Sequence, residues 1–239
     1  MNLDVIVFGS HPDDAELSMG GTIARFSYND LKVGIIDLTR GELGTRGTAE
    51  TRQKEAFQSA IILKAAVREN LHIPDGGILN NKENLLKIIM VLRKYKPKLI
   101  FAPYFNDRHP DHIITSTLIK EAMFSSGLEK IKTFDKEKGQ ERFKPLKLYY
   151  YMQTYTFEPS FIVDVSPYFE IKMNAVRAYS TQFFDPKSKE PETFISSPDF
   201  ITYIEARAKF YGFQIGKKYG EPFFSEEKIE LDLSRMITD

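Results

Sequence analysis

Short apolar runs alternate with longer amphipathic stretches over the first half of the chain. The apolar runs lie at 4–9, 31–38, 70–73 and 98–103, and the first of them is rich in β-branched residues. Such runs predict the buried strands of a parallel sheet. The stretches between them have a helical pattern and cover 15–28, 50–63 and 85–95. Four β–α units in about 125 residues favour a parallel sheet with right-handed crossovers and helices on both faces.

The second half of the chain is less regular. We expect strands at 146–152 and 160–165, helices at 167–179 and 200–211, a polar loop at 187–199, and glycine-punctuated coil in YGFQIGKKYGEPF. No repeat or change of composition separates the two halves. We therefore predict one α/β domain over 1–239, a three-layer sandwich with a mostly parallel, Rossmann-like sheet. Its regular half covers 1–125, and an irregular C-terminal cap covers 126–239.

Composition narrows the classes of partner and of metal ligand. Lys plus Arg and Asp plus Glu both number 33, so nothing predicts attraction to nucleic acid or to an anionic membrane. No apolar run approaches the roughly 18–20 residues of a membrane span, and no signal-like segment opens the chain, so we expect a cytoplasmic protein. Cysteine is absent, so any metal site must use histidine and carboxylate.

Three of the four histidines lie in two similar segments, SHPDD at 10–14 and RHPDH at 108–112. Each segment directly follows a predicted strand, 4–9 or 98–103. In open parallel sheets, ligands bind outside the carboxyl ends of strands where the strand order reverses. The two loops are therefore predicted to meet in one crevice. His72 has no carboxylate cluster beside it and is interpreted as structural.

The residue types in these loops favour a metal over a nucleotide. Acidic side chains in the first loop, among them Asp13 and Asp14, would repel a phosphate. His11 and Asp14 are three residues apart and can supply two ligands, with His112 as a third from the facing loop. Three protein ligands with one open position are typical of catalytic zinc. The alternative is that each Pro-Asp pair only forms a turn and caps a helix.

Two further residues complete a hydrolytic site in this interpretation. Asp13 adjoins the candidate ligands and is placed to act as a base towards water. His109 is placed to donate to an oxyanion or a leaving group, held by Asp111.

Three segments together resemble one known family. HPDDAE after the first strand, GELGTRGTAETR after the second and RHPDH after the fourth are similar to the LmbE/PIG-L family of zinc-dependent N-acetylglucosamine deacetylases. Within that family, these loops most resemble the bacillithiol biosynthesis deacetylases, which act on N-acetylglucosaminyl malate. In related mycothiol-pathway enzymes, a tyrosine lies two residues before the second-loop histidine, where this chain has Asp107.

The resemblance implies a set of roles for these residues. It implies Zn2+, or Fe2+ or another divalent ion, held by His11, Asp14 and His112. It makes Asp13 the general base, and His109 the group that stabilises the tetrahedral intermediate while Asp111 orients it. It also implies a homo-oligomer, a trimer or a hexamer.

Candidate substrate contacts come from four further residues. The family's loop arginine, which contacts substrate, corresponds to Arg52, for which a solvated surface position is the alternative. Arg108 is a candidate to bind a malate-like carboxylate, because arginine binds carboxylates in a bidentate manner. Asp75 resembles the family's sugar-hydroxyl ligand, although aspartate is also common in turns. Glu221 in YGEPF resembles a family segment that closes near the site, but Pro222 replaces a glycine of that pattern.

These features together predict hydrolysis of an acetamide on a small amino-sugar substrate. The main expectation is conversion of N-acetylglucosaminyl malate to glucosaminyl malate and acetate in bacillithiol biosynthesis. The first alternative is another N-acetyl sugar, such as free N-acetylglucosamine or chitobiose. Two other classes stay open at this point: a metal-dependent phosphoesterase, and a non-enzymatic α/β nucleotide-binding or regulatory module.

Overall fold

Strands and helices alternate along residues 1–231, which the computed structural model describes. The strands are β1 Val5–Gly9, β2 Val33–Asp37, β3 Val67–Asn70, β4 Leu99–Pro103, β5 Phe134–Asp135, β6 Lys138–Gly139, β7 Lys147–Tyr151, β8 Phe161–Asp164 and β9 Gly220–Phe224. The helices are α1 Asp14–Ser27, α2 Ala49–Ile62, α3 Lys82–Tyr95, α4 Pro110–Ser125, α5 Phe169–Arg177 and α6 Pro198–Gln214. The last eight residues of the predicted domain lie outside the described residues.

Seven strands form one sheet in the order β3-β2-β1-β4-β7-β9-β8, while β5 and β6 form a separate hairpin. Five neighbouring strands run parallel, namely β3, β2, β1, β4 and β7, and β9 runs antiparallel to both of its neighbours. The prediction of an α/β fold with a mostly parallel sheet is therefore confirmed. Within residues 1–231, no helix is both long and apolar enough to span a bilayer.

Both faces of the sheet are buried, as the continuous apolar runs predict. On β1, Ile6 and Phe8 pack with α3 and α4, whereas Val5 and Val7 pack with α1 and α5. Alternate side chains of one strand thus supply two separate cores. This three-layer packing fixes the strand ends, and the loops that leave those ends form the candidate site.

The strand order reverses at β1, which lies between β2 and β4. After β3 the chain returns to the other side of β1, where Val5 pairs with Leu99 and Val7 with Phe101. Because β1 and β4 are parallel neighbours, the loops that follow them leave the same edge of the sheet side by side. The predicted proximity of the two histidine-containing loops is confirmed.

Two strands differ from the sequence prediction. The third strand begins at Val67, three residues earlier than predicted, because the charged Arg68 lies within it and pairs with Asp37 of β2. Part of the segment predicted as C-terminal coil forms β9, an inner strand of the sheet. Proline cannot donate to a sheet ladder, so Pro222 argues against a central strand, yet it pairs with Ile162 of β8.

A buried ion pair holds a kink in α1. Met19 has non-helical backbone angles, φ −139° and ψ 25°. The Glu221 carboxylate accepts hydrogen bonds from the backbone N–H groups of Gly21 at 3.0 Å and Thr22 at 2.7 Å, and it pairs with Lys172 Nζ at 2.6 Å. It therefore caps the second half of α1, with an exposed fraction of 1%. The structure corrects the expectation that Glu221 binds substrate, because its oxygens are committed inside the protein.

Removing one partner of this ion pair should destabilise the fold. Lys172 is 2% exposed, so Lys172→Met would leave the Glu221 charge buried and unpaired. We expect the free energy of unfolding to fall by about 3–5 kcal/mol in chemical denaturation, a typical cost of an uncompensated buried charge. The control is Lys209→Met, which breaks the exposed pair with Glu205 and should cost less than about 1 kcal/mol. Equal losses in the two variants would contradict the assignment.

Candidate metal centre

A cleft of about 440 Å³ opens at the edge of the sheet where the loops after β1 and β4 emerge. Its volume lies within the range of small-molecule sites. Eight of the ten predicted site residues line it: His11, Asp13, Asp14, Arg52, Asp75, Arg108, His109 and His112. Asp111 does not line the cleft but contacts His11, and Glu221 lies away from it in the core.

His11, Asp14 and His112 each present one donor atom within 4.8 Å of the others. Asp14 lies between the two rings, with Oδ1 3.3 Å from His112 Nε2 and Oδ2 3.7 Å from His11 Nδ1. Asp14 Oδ2 also accepts the backbone N–H groups of Ser10 at 2.9 Å and His11 at 3.0 Å. These backbone hydrogen bonds fix the Asp14 carboxylate between the two imidazole rings.

Asp13 lies at the strained turn between β1 and α1. Its φ of 111° is in the left-handed region, which few non-glycine residues adopt and which costs about 1–3 kcal/mol. Its carboxylate accepts a hydrogen bond from Arg52 Nη2 at 3.0 Å. Burial raises the pKa of Asp13 to about 7, although the charge of Arg52 acts in the opposite direction. Asp13 is thus a buried carboxylate at the cleft that is ready to exchange a proton near neutral pH.

The guanidinium of Arg52 makes several hydrogen bonds within the protein, whereas its sequence motif implied a contact with substrate. Besides Asp13, its guanidinium donates to the carbonyl oxygens of Pro12 at 2.7 Å and Gly41 at 3.0 Å. Gly41 has φ of +67°, and a Cβ there would lie 1.9 Å from Arg52 Nη1. The glycine therefore allows the arginine to pass beneath the loop. Arg52 lines the cleft, but its main contacts hold Asp13 and the two loops together.

His109 is the N-cap residue of α4 and is oriented by a backbone amide. Its Nδ1 accepts the N–H of Asp111 at 3.2 Å, so the hydrogen of the neutral ring resides on Nε2. Burial lowers the pKa of His109, and the neighbouring charges of His11 and His112 lower it further. His109 is therefore a neutral donor among charged neighbours, and its ring stacks on His112 at a centroid distance of 4.9 Å.

The carboxylate of Asp111 makes its side-chain hydrogen bond with His11, although one of its oxygens also lies within 4.8 Å of a ring nitrogen of His109. It lies 3.3 Å from His11 Nε2 and accepts the backbone N–H of Gly76 at 3.0 Å. This corrects the expectation that Asp111 orients His109 through its side chain. Asp75 lies on the same side, with Oδ1 3.1 Å from His11 Nε2, and its Oδ2 accepts the N–H of Leu43 at 2.9 Å. Both carboxylates thus orient His11.

Asp107 is a site residue that the sequence analysis did not identify. Its Oδ1 accepts from His112 Nδ1 at 2.9 Å and from the N–H of His109 at 3.0 Å. Its Oδ2 accepts the N–H groups of Thr154 at 2.8 Å and Tyr155 at 3.3 Å. Burial favours the neutral acid, but these hydrogen bonds lower the pKa of Asp107 to about 2. An aspartate shortly before a candidate ligand histidine was the available signal, because metal-bound histidines commonly donate to a carboxylate.

The charge balance of the cluster suits a divalent cation. Four carboxylates surround the rings of His11 and His112: Asp14, Asp75, Asp107 and Asp111. Burial alone would lower the pKa of both rings, but the carboxylates raise the pKa of His112 to about 9 and that of His11 well above its usual value. The cluster therefore holds positive charge strongly, and a metal ion would replace ring protons. A nitrogen and oxygen donor set without sulfur fits zinc or a similar ion.

The C-terminal half forms the wall opposite these charged groups. Phe200, Tyr203, Ile204 and Arg207 of α6 line the cleft together with Gln153 and Phe194. The sequence analysis missed this wall, because an apolar helix face has the same pattern whether it packs in a core or lines a cleft. Arg108 is exposed at the mouth, where its guanidinium lies 4.7 Å from the centroid of the Phe194 ring.

Comparison with known proteins agrees with this fold. The family model PIG-L, described as GlcNAc-PI de-N-acetylase, matches residues 6–123. The chain is 29% identical over 229 residues to the diacetylchitobiose deacetylase of Thermococcus kodakarensis, covering 91% of this chain and 80% of that protein. The crystal structure of the conserved protein TT1542 from Thermus thermophilus superposes with a TM-score of 0.86 at 37% identity, covering 96% and 97% of the two chains. The N,N'-diacetylchitobiose deacetylase from Pyrococcus horikoshii, solved with its inhibitor MPG, gives a TM-score of 0.80 at 29% identity, covering 92% and 82%. This chain belongs to the PIG-L family.

Proposed function

We propose that this protein hydrolyses the acetamide of a neutral N-acetylglucosamine saccharide, releasing acetate and a free amine. The observation that carries the proposal is the convergence of His11, Asp14 and His112 donors within 4.8 Å, in a cleft that Asp13 also lines. The family described as a de-N-acetylase and the similarity to diacetylchitobiose deacetylases support the same chemistry.

We assign a Zn2+ ion, or Fe2+ or another divalent ion in its place, to His11, Asp14 and His112. Such an ion supplies a Lewis acid, which polarises the acetyl carbonyl and acidifies water. Two further carboxylates contact ring nitrogens of the proposed histidine ligands: Asp111 contacts His11, and Asp107 contacts His112. Carboxylates in this position orient the ring and increase its basicity as a ligand.

The proton transfers are assigned to Asp13. Its carboxylate takes a proton from the attacking water as the new C–O bond forms, and Arg52 holds the carboxylate in place. The Nε2–H group of His109 donates a hydrogen bond to the oxygen of the former carbonyl, where negative charge develops. The Asp13 acid then protonates the nitrogen as the C–N bond breaks. Acetate and the amino sugar leave, and Asp13 returns to its starting state.

The cleft wall favours a neutral saccharide. Aromatic and apolar side chains of α6, with Phe194, face the charged end and suit the apolar face of a sugar ring. Arg52 and Arg207 line the cleft, but their guanidinium groups donate to protein oxygens. One observation favours N-acetylglucosaminyl malate as a second candidate: Arg108 lies at the mouth, and no carboxylate within residues 1–231 pairs with it. Its guanidinium suits a malate carboxylate.

Two other classes of function are not favoured. A phosphoesterase of the two-metal type needs two ligand sets. The two candidate trios among residues 1–231 share His11, since one is His11, Asp14 and His112 and the other is His11, His109 and Asp111. A nucleotide-binding module needs a first loop that accepts phosphate, but Asp13 and Asp14 occupy that loop as buried carboxylates.

Metal content tests the ligand assignment. The purified, zinc-loaded protein should retain about one ion per chain after dialysis, as expected for one catalytic set of three ligands. His112→Ala removes one of the three donors and should lose most of the metal, as measured by mass spectrometry of the elements. The matched control is His72→Asn, which changes a histidine outside the cluster and keeps a residue that tolerates the local φ of 52°. Full metal retention in His112→Ala would reject the site.

Metal affinity tests Asp107. An asparagine there would direct an NH2 group at N–H donors that now meet a carboxylate, and it would orient His112 less well. We expect Asp107→Asn to weaken zinc binding about 10–100-fold in competition with a chelating dye. Asp135→Asn on the exposed hairpin is the control and should bind zinc as the wild type does. If Asp107→Asn also kept wild-type affinity, Asp107 would have no part in the metal centre.

Turnover tests Asp13 and the substrate together. Zinc-loaded wild type should release acetate from N-acetylglucosamine or diacetylchitobiose, whereas Asp13→Asn should keep its metal and lose about 10²–10⁴-fold in rate. Asp30→Asn is the matched control, since Asp30 also has a positive φ but lies exposed after α1.

Each other outcome of this assay is decisive. Release of acetate from N-acetylglucosaminyl malate alone would select the second candidate substrate. An active Asp13→Asn variant would remove Asp13 from the mechanism. No acetate from any of the three compounds would overturn the proposed function.

A further inference from the structure

Gln153 in the cleft wall has one hydrogen-bonding group without a partner. It follows β7, the strand next to β4, and its side chain lines the cleft with an exposed fraction of 9%. Its Oε1 accepts a hydrogen bond from Ser18 Oγ at 2.6 Å. Its Nε2 is buried and has no hydrogen-bond partner among residues 1–231. Buried donors are almost always paired in native proteins, so this amide requires an explanation.

The peptide bond that follows Gln153 is held at both of its polar atoms. The Gln153 carbonyl accepts a hydrogen bond from Arg207 Nη1 at 2.5 Å, and Arg207 Nη2 also donates to the carbonyl of Leu17 at 3.1 Å. The next N–H, that of Thr154, donates to Asp107 Oδ2, and the other oxygen of Asp107 contacts His112. Gln153 is therefore fixed relative to a candidate metal ligand, as a substrate-orienting group must be.

We propose that Gln153 is a specificity-determining residue, whose Nε2 donates a hydrogen bond to a hydroxyl oxygen of the saccharide. The inference rests on the proposed function for its class of substrate. A carboxamide carries no charge, so its N–H group suits the neutral oxygen of a hydroxyl as a ligand. A ligand carboxylate is bound more strongly by arginine. Its position beside the apolar wall of α6 matches a sugar ring, which has both C–H faces and hydroxyl groups.

Binding measurements test the role without relying on turnover. Zinc-loaded full-length Asp13→Asn protein serves as the background, and its affinity for N-acetylglucosamine and diacetylchitobiose is measured by calorimetry. Adding Gln153→Met should weaken binding about tenfold, which corresponds to about 1.4 kcal/mol. Gln153→Glu, of the same size, should weaken binding more, because it lacks the N–H donor and the bound sugar would bury its charge against the apolar wall. Gln214→Glu makes the same chemical change at an exposed position at the end of α6 and should leave affinity unchanged.

Deoxygenated analogues distinguish a direct contact from a structural effect. N-acetylglucosamine lacking the hydroxyl at carbon 3, 4 or 6 is compared with the parent sugar in two proteins, Asp13→Asn alone and Asp13→Asn combined with Gln153→Met. With Gln153 present, one analogue should bind about tenfold more weakly than the parent. With Gln153→Met, the same analogue should bind as well as the parent, because the hydrogen bond is already absent. A purely structural role would weaken binding of all the sugars by one common factor.

The outcomes separate this inference from the proposed function. Unchanged affinity in Gln153→Glu, or a common factor for every analogue, would overturn the role of Gln153 even if the wild type releases acetate. If the variants show the expected binding pattern but the wild type releases no acetate, the role of Gln153 would be supported and the proposed reaction rejected. Absence of both binding and release would reject both. If Gln153→Met fails to melt cooperatively, Gln153→Glu decides, because it preserves the size of the side chain.

Discussion

The parallel pairing of β1 with β4 is the constraint on which the candidate site depends. Val5 lies opposite Leu99 and Val7 opposite Phe101, so two segments about a hundred residues apart end at the same edge of the sheet. β7 adds a third strand end beside β4 and places Gln153 at the same edge. Each contribution comes from a loop, while the strands beneath are buried on both faces and cannot shift separately. The site loops are therefore anchored at strand ends whose relative positions the core fixes.

Charge is balanced locally around this edge. Carboxylates that would be costly to bury alone meet imidazoles, a guanidinium or backbone N–H groups. Asp107 is the clearest case, because one carboxylate connects the loop after β4 with the loop after β7 through four donors. The same principle operates in the core, where Glu221 and Lys172 neutralise each other and cap the kinked α1. Buried charge thus serves two purposes, positioning ligands at the cleft and holding helices behind it.

The sequence predicted the sheet, the reversal of strand order and the meeting of the two histidine loops, because each depends on hydrophobic patterning and on general rules of topology. It placed β3 three residues too late and missed β9, since Arg68 and Pro222 oppose the usual strand signals and are compensated only by tertiary pairing. It also could not tell which carboxylate meets which ring. Asp111 faces His11 because of the direction in which α4 begins, and that direction is not encoded in spacing alone.

The strained turn at Asp13 explains why the loop after β2 belongs to the same functional unit. A left-handed aspartate persists only where its surroundings over-determine it. Arg52 contributes by binding both the carbonyl of Pro12 and the carboxylate of Asp13, and it reaches them only because Gly41 has no Cβ. Glycine in the loop, arginine in α2 and aspartate at the turn are therefore coupled through direct contacts. The segment GELGTRGTAETR thus acts on the cleft chiefly by holding Asp13 where its side chain lines the cleft beside the candidate ligands.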